Sequence, residues 1–142
     1  MLQALGVEVE LEWGRGNLAA AAQSLAEAIQ LVLESATVIH VLYVLVPAAA
    51  LGATRVEELL DRVRAPGLDT VFQATAAEAE GWLSDDADSF GRAADLYASL
   101  ELPYQEAQAA LGAGQLDRAE AIIKRLGLES GPLGSRLAAV KR

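Results

Sequence analysis

A four-point apolar stripe returns four times along the chain, at offsets 0, +3, +7 and +10. It reads Leu18-Ala21-Leu25-Ala28, Val56-Leu59-Val63-Pro66, Phe90-Ala93-Tyr97-Leu100 and Leu116-Ala119-Ile123-Leu126. Steps of three and four keep all four positions on one side of a helix. A small or polar break precedes each stripe: Gly16-Asn17, Thr54-Arg55, Asp88-Ser89 and Gly114-Gln115. The stripes start 38, 34 and 26 residues apart. Spacings of about 20–50 residues mark repeat architectures. One such unit cannot bury its stripe alone, so neighbouring units must stack on it.

The pattern predicts an all-α fold, an array of about four antiparallel helical hairpins in one domain spanning 1–142. The units fall at about 1–34, 35–67, 68–102 and 103–142. Their paired helices are expected at 2–13 and 17–34, 36–52 and 55–64, 69–84 and 88–101, and 104–113 and 115–126. Pro47 should kink or split the helix at 36–52. Ala65-Pro66-Gly67 closes the second pair, Leu102-Pro103 the third, and Gly127 stops the fourth. Ser130-Gly131-Pro132 leads into a basic helix at 132–142 with Arg136, Lys141 and Arg142. Short loops make consecutive helices antiparallel neighbours.

Residues 36–53 challenge this picture, because they carry no formal charge. The run barely reaches the length of a membrane span, contains His40 and Pro47, and has no flanking basic cluster. A helix buried in a protein core is the expectation. Thr37, Val38, Ile39, Val41, Val44 and Val46 are β-branched, but a strand there would need a partner, and only 7–13 is strand-like.

Gly16-Asn17-Leu18 with Ala21, Leu25 and Ala28 resembles the second half of a tetratricopeptide unit, as does Gly114-Gln115-Leu116 with Ala119 and Ile123. Thr54-Arg55-Val56 departs, since Leu59 stands where a small residue marks the tightest helix contact. The first-helix half of the motif is poorly kept in every unit. The run FGRAADLYASLELPYQEAQAALGAGQLDRAEAIIKRLG, residues 90–127, resembles the tetratricopeptide-like regions of bacterial signal-transduction ATPase regulators of transcription, the maltose-regulator type included. There is no GxxxxGK phosphate loop and no evident helix-turn-helix here. The resemblance implies the sensor or scaffold part of such a regulator, without catalysis or direct nucleic-acid contact.

Charge narrows the partners. The chain has 20 acidic and 11 basic residues, a formal net charge of −9. Nucleic-acid binding needs an excess of Lys and Arg, so the balance favours a basic protein or peptide. There is no Cys, hence no disulfide framework or thiolate chemistry. The stretch MLQALGVEVELEW carries Glu8, Glu10 and Glu12 and does not read as a signal peptide. A cytoplasmic location without membrane attachment is expected. An open array with so apolar a second unit also favours a homodimer.

The candidate chemistry is thin. Gly14-Arg15-Gly16-Asn17-Leu18-Ala19 matches GxGxxA, the glycine pattern of a dinucleotide fold. The preceding segment alternates with glutamate, which would repel a pyrophosphate and cannot be a strand buried on both faces. A calcium loop starting at Asp86 fails at Phe90 and Tyr97, so Asp88 and Ser89 are expected to cap a helix. His40, the only histidine, is expected as a buried core residue. No catalytic, cofactor or metal residues are therefore assigned. Carrying the tetratricopeptide register over by the break positions places Glu10, Trp13, Glu78, Trp82, Asp85, Tyr104 and Gln108 toward a concave groove. Aromatic anchors beside carboxylates suit a basic ligand. Packing of Trp13 and Trp82 between neighbouring hairpins is the competing reading, and the one the sequence favours. The basic C-terminal helix could fill such a groove in a neighbouring copy. The expected function is a non-catalytic protein-interaction or effector-sensing scaffold. The competing reading is an α-helical bundle binding a small apolar ligand around residues 38–50.

Overall fold

The computed structural model describes residues 18–34 and 38–142. All regular structure among them is helical, with no strand. The order is α1 (Leu18–Glu34), a 3-10 helix (Val38–Tyr43), α2 (Leu45–Ala50), α3 (Val56–Val63), α4 (Thr70–Ser84), α5 (Ala87–Ser99), α6 (Pro103–Gly112), α7 (Leu116–Leu126) and α8 (Pro132–Lys141). The helix expected at 2–13 and the strand-like stretch at 7–13 lie outside the described residues.

The punctuation read from the chain ends these helices by identifiable means. Gly127 adopts φ +69°, and the amide of Leu128 donates to the carbonyl of Ile123 at 3.0 Å. That closes the last turn of α7 on carbonyls that would otherwise lack partners. Asp85 does the same for α4 at φ +49°, a conformation that a short polar side chain tolerates. Pro103 and Pro132 each open a helix, where a missing N–H removes nothing. α5 starts at Ala87, earlier than expected, and its cap is Asp86 rather than Asp88 or Ser89. Asp86 Oδ1 accepts from the Asp88 amide at 3.0 Å, and Oδ2 accepts from Ser89 Oγ at 2.9 Å.

Pro47 splits the expected 36–52 helix, but the break comes before it, at Val44 (φ −125°, ψ −16°). Pro47 then lies in the first turn of α2, where backbone amides have no intrahelical acceptor. Upstream the chain winds as a 3-10 helix, with about three residues per turn. Val38, Val41 and Val44 therefore line up toward the core, while His40 and Tyr43, also one turn apart, have ring centroids 6.5 Å apart. His40 is half-buried, not the core histidine expected, because the tighter winding rotates it off the inner face.

The stripes are packing faces. Ala21, Ala28, Leu59, Ala93 and Ala119 are each 0% exposed. Leu59 fits where a small residue was expected because α2 supplies Ala48 and Ala49 to the same core. The last stripe position fails in two units. α3 stops at Val63, leaving Pro66 exposed, and Leu126, the last residue of α7, is 37% exposed. Residues 38–50 contribute Val41, Val44, Leu45, Ala48 and Ala49 to a core shared with α1, α3 and α4. Among the described residues no helix is long and apolar enough to cross a membrane.

Consecutive helices pack along the chain, most extensively α4 with α5 and α5 with α6. Alternate helices also touch: α2 with α4, α4 with α6, and α6 with α8. α4 is consequently enclosed on most sides, burying Phe72, Ala74, Thr75, Ala76, Ala77, Glu78, Ala79 and Gly81. Its run of alanines lets neighbours approach closely. Phe72, Ala76 and Ala79 join the first core, whereas Ala74 and Ala77 face Ala93, Ala94, Tyr97 and Ala109. At the other end, α6, α7 and α8 enclose Ala107, Ala110, Leu111, Ile122, Ile123, Leu133 and Leu137.

Candidate functional site

Glu10 and Trp13 lie outside the described residues. The other five expected groove residues come from α4, its C-terminal end, and α6. Tyr104 and Gln108 are one helical turn apart on α6 and both partly buried. α6 touches both α4 and α8. Asp85 is exposed where α4 ends.

Trp82 stands in the last turn of α4, half-buried and packed against the first core. Its ring meets Phe90 edge-on, with centroids 5.5 Å apart and planes at 84°. The guanidinium carbon of Arg136, on α8, lies 5.5 Å from the Trp82 ring centroid. Groove and packing readings of this residue are thus compatible, since part of the indole packs inward and its face receives a cation from another helix. Neither spacing nor periodicity pointed to this pairing. The only signal was the basic character of the last helix beside an acidic chain.

Phe90 itself is set by two glycines. A β-carbon on Gly81 of α4 would come within 2.7 Å of the Phe90 ring, and one on Gly112 of α6 within 2.5 Å. No heavy atom packs stably at such distances, so the ring occupies a slot that only glycine leaves open. The slot fixes Phe90 and, through the edge-on contact, the end of α4 that carries Trp82.

Glu78 differs from the groove expectation. It is 2% exposed. The Tyr97 hydroxyl of α5 donates to Glu78 Oε1 at 2.9 Å and lies 3.3 Å from Thr75 Oγ1. Thr75 in turn donates to the Val71 carbonyl at 2.8 Å. The single phenolic proton serves the shorter, charge-bearing contact. Burial, then the Glu78 charge, push the Tyr97 phenol above its ordinary pKa, so it remains a donor. A carboxylate held this way is an internal tie between α4 and α5, away from any ligand.

Charged side chains link the outer helices. Arg118 of α7 reaches Glu106 on α6 at 2.8 Å and Asp95 on α5 at 2.9 Å. Burial lowers the Arg118 pKa, but the two carboxylates outweigh it and hold the side chain charged. Glu80 of α4 lies between Arg64 at 3.0 Å and Arg92 at 3.3 Å. Arg62 of α3 donates to the Val32 and Leu33 carbonyls at 3.0 and 2.7 Å, capping the end of α1.

Beside α1 lies an open cleft of about 390 Å³. Ala22, Leu25, Ala26, Ile29 and Gln30 line one side, and Leu51 to Arg55 the other. Among its described lining residues, none falls within 38–50. Comparison of the chain with known protein families, with characterised proteins and with solved structures gave no match.

Proposed function

We infer that the chain is a non-catalytic interaction module, a tetratricopeptide-like array that binds a basic peptide segment of a partner protein along its first-helix side. The observation that carries this reading is the Arg136 guanidinium of α8 on the Trp82 indole of α4, both helices packing against α6. The repeated hairpin stripes and the net charge of −9 support it. Likeness to the helical arrays of bacterial signal-transduction regulators supports a role in sensing or scaffolding within such a protein. Opposite charges steer encounter, and salt screens them. Tryptophan emission titrated with short basic, neutral and acidic peptides tests the reading. Basic peptides should bind best and weaken with added salt; tighter binding of the acidic peptide defeats it.

The cleft beside α1 favours a second reading, a small apolar effector. Its walls are chiefly Ala, Leu and Ile, with Gln30, Thr54 and Arg55 as polar groups, the usual make-up of a ligand pocket. Replacing Ala26 with Phe would fill it. A ligand whose thermal stabilisation of the protein disappears in Ala26→Phe would establish this reading over the first.

A further inference from the structure

Arg136 lies within the range of about 6 Å at which an aromatic face attracts a cation. A planar, weakly hydrated guanidinium suits such a face better than an ammonium. The contact is not what holds α8 in place. Leu133 and Leu137 are buried against α6 and α7, and Lys141 Nζ lies 2.8 Å from Glu120 Oε2. The Arg136 side chain is partly exposed on the docked helix. Occupation by α8 of a second copy would require pulling Leu133 and Leu137 out of their own core.

We propose that the face of Trp82 is an arginine-recognition site and that Arg136 is its built-in competitor, displaced when a basic segment of a partner protein presents an arginine. The proposal rests on the interaction-module reading and adds the residue chemistry of the partner and an internal gate. The −9 charge of the chain favours approach of such a segment. Asp85, exposed three residues beyond Trp82, lies at the same end of α4.

The test uses the full chain, with binding read by calorimetry and a separate Trp13→Phe variant assigning any emission change to Trp82. Three short peptides identical except for Arg, Lys or Glu are titrated into this protein, R136A and R136K. An exposed cation–π contact corresponds to about two- to fivefold in affinity. The Arg peptide should bind R136A about two- to fivefold more tightly than the parent, with R136K between them and the Lys peptide weaker throughout. Equal affinity for parent and R136A overturns the gate and leaves the module reading standing. If no peptide binds either protein, or the Glu peptide binds best, both fall. An emission change that grows with protein concentration alone and vanishes in R136A makes a second copy the occupant and overturns the proposal. Far-UV circular dichroism checks folding. Should R136A lose helicity, the comparison of R136K with the parent decides alone, and equal Arg-peptide affinities overturn the gate.

Discussion

At the residue scale, a tyrosine hydroxyl meets a buried carboxylate. Tyr97 donates to the buried Glu78 at 2.9 Å. Tyr97→Phe keeps the ring and removes the donor. A hydrogen bond to a charged group contributes about 1.5–3 kcal/mol, so urea unfolding should show a loss of that order. A loss below about 0.5 kcal/mol would mean that the contact holds nothing together. Asp86 gives a pH test. The Ser89 hydroxyl, then the Asp88 amide, hold its carboxyl below the ordinary carboxylate range. A folded-state pKa that is depressed gives stability that is complete above the unfolded value and lost as pH falls through the folded one. The parent should therefore lose thermal stability more steeply than Asp86→Asn below about pH 4, since asparagine caps without titrating. Parallel acid limbs for the two proteins would refute the assignment.

At the element scale, α4 is positioned by what its neighbours lack. Gly81 and Gly112 leave room for Phe90 between α4 and α6. Gly112→Ala favours the helix by about 0.8–1 kcal/mol in propensity. Overpacking against a ring costs about 1–3 kcal/mol, so the net effect should be destabilising. Adding Phe90→Leu frees space, and the double variant should lose less than the sum of the single changes. Simple additivity would show that ring and glycines do not share a slot. Trp82 emission should shift in Gly112→Ala, because Phe90 meets that indole edge-on.

For the whole molecule, the helices differ in how closely their backbones approach one another. Among the described residues α4 to α6 approach their neighbours most closely, while α1 makes fewer close backbone approaches to α2 and α3 and is tied partly by Arg62. Regions with fewer packed contacts open locally at lower free energy. Amide hydrogens of α4 and α5 should exchange slowest, and those of α1 markedly faster. Arg62→Gln should accelerate α1 further and leave α5 unchanged. Uniform protection from α1 to α6 would instead describe a single cooperative block.

The sequence by itself determined the helical class, the helix positions from residue 18 onward to within a few residues, and the packing faces. Those properties are local: apolar steps of three and four, a glycine in a left-handed turn, and a proline at a first turn each act within a few residues. The Val44 break and the outward turn of His40 were harder to read, because three-residue winding replaced the expected helical period over one short stretch. Tertiary structure alone decided what Glu78, Trp82 and Arg136 do. On a helix enclosed from several sides, register within α4 does not distinguish a groove-facing carboxylate from one met by Tyr97 of α5. The meeting of Arg136 with Trp82 depends on how α4, α6 and α8 align, and that alignment is set by Phe90 between two glycines and by Leu133 and Leu137 in a shared core. Such contacts join residues far apart in sequence, so no local pattern carries them.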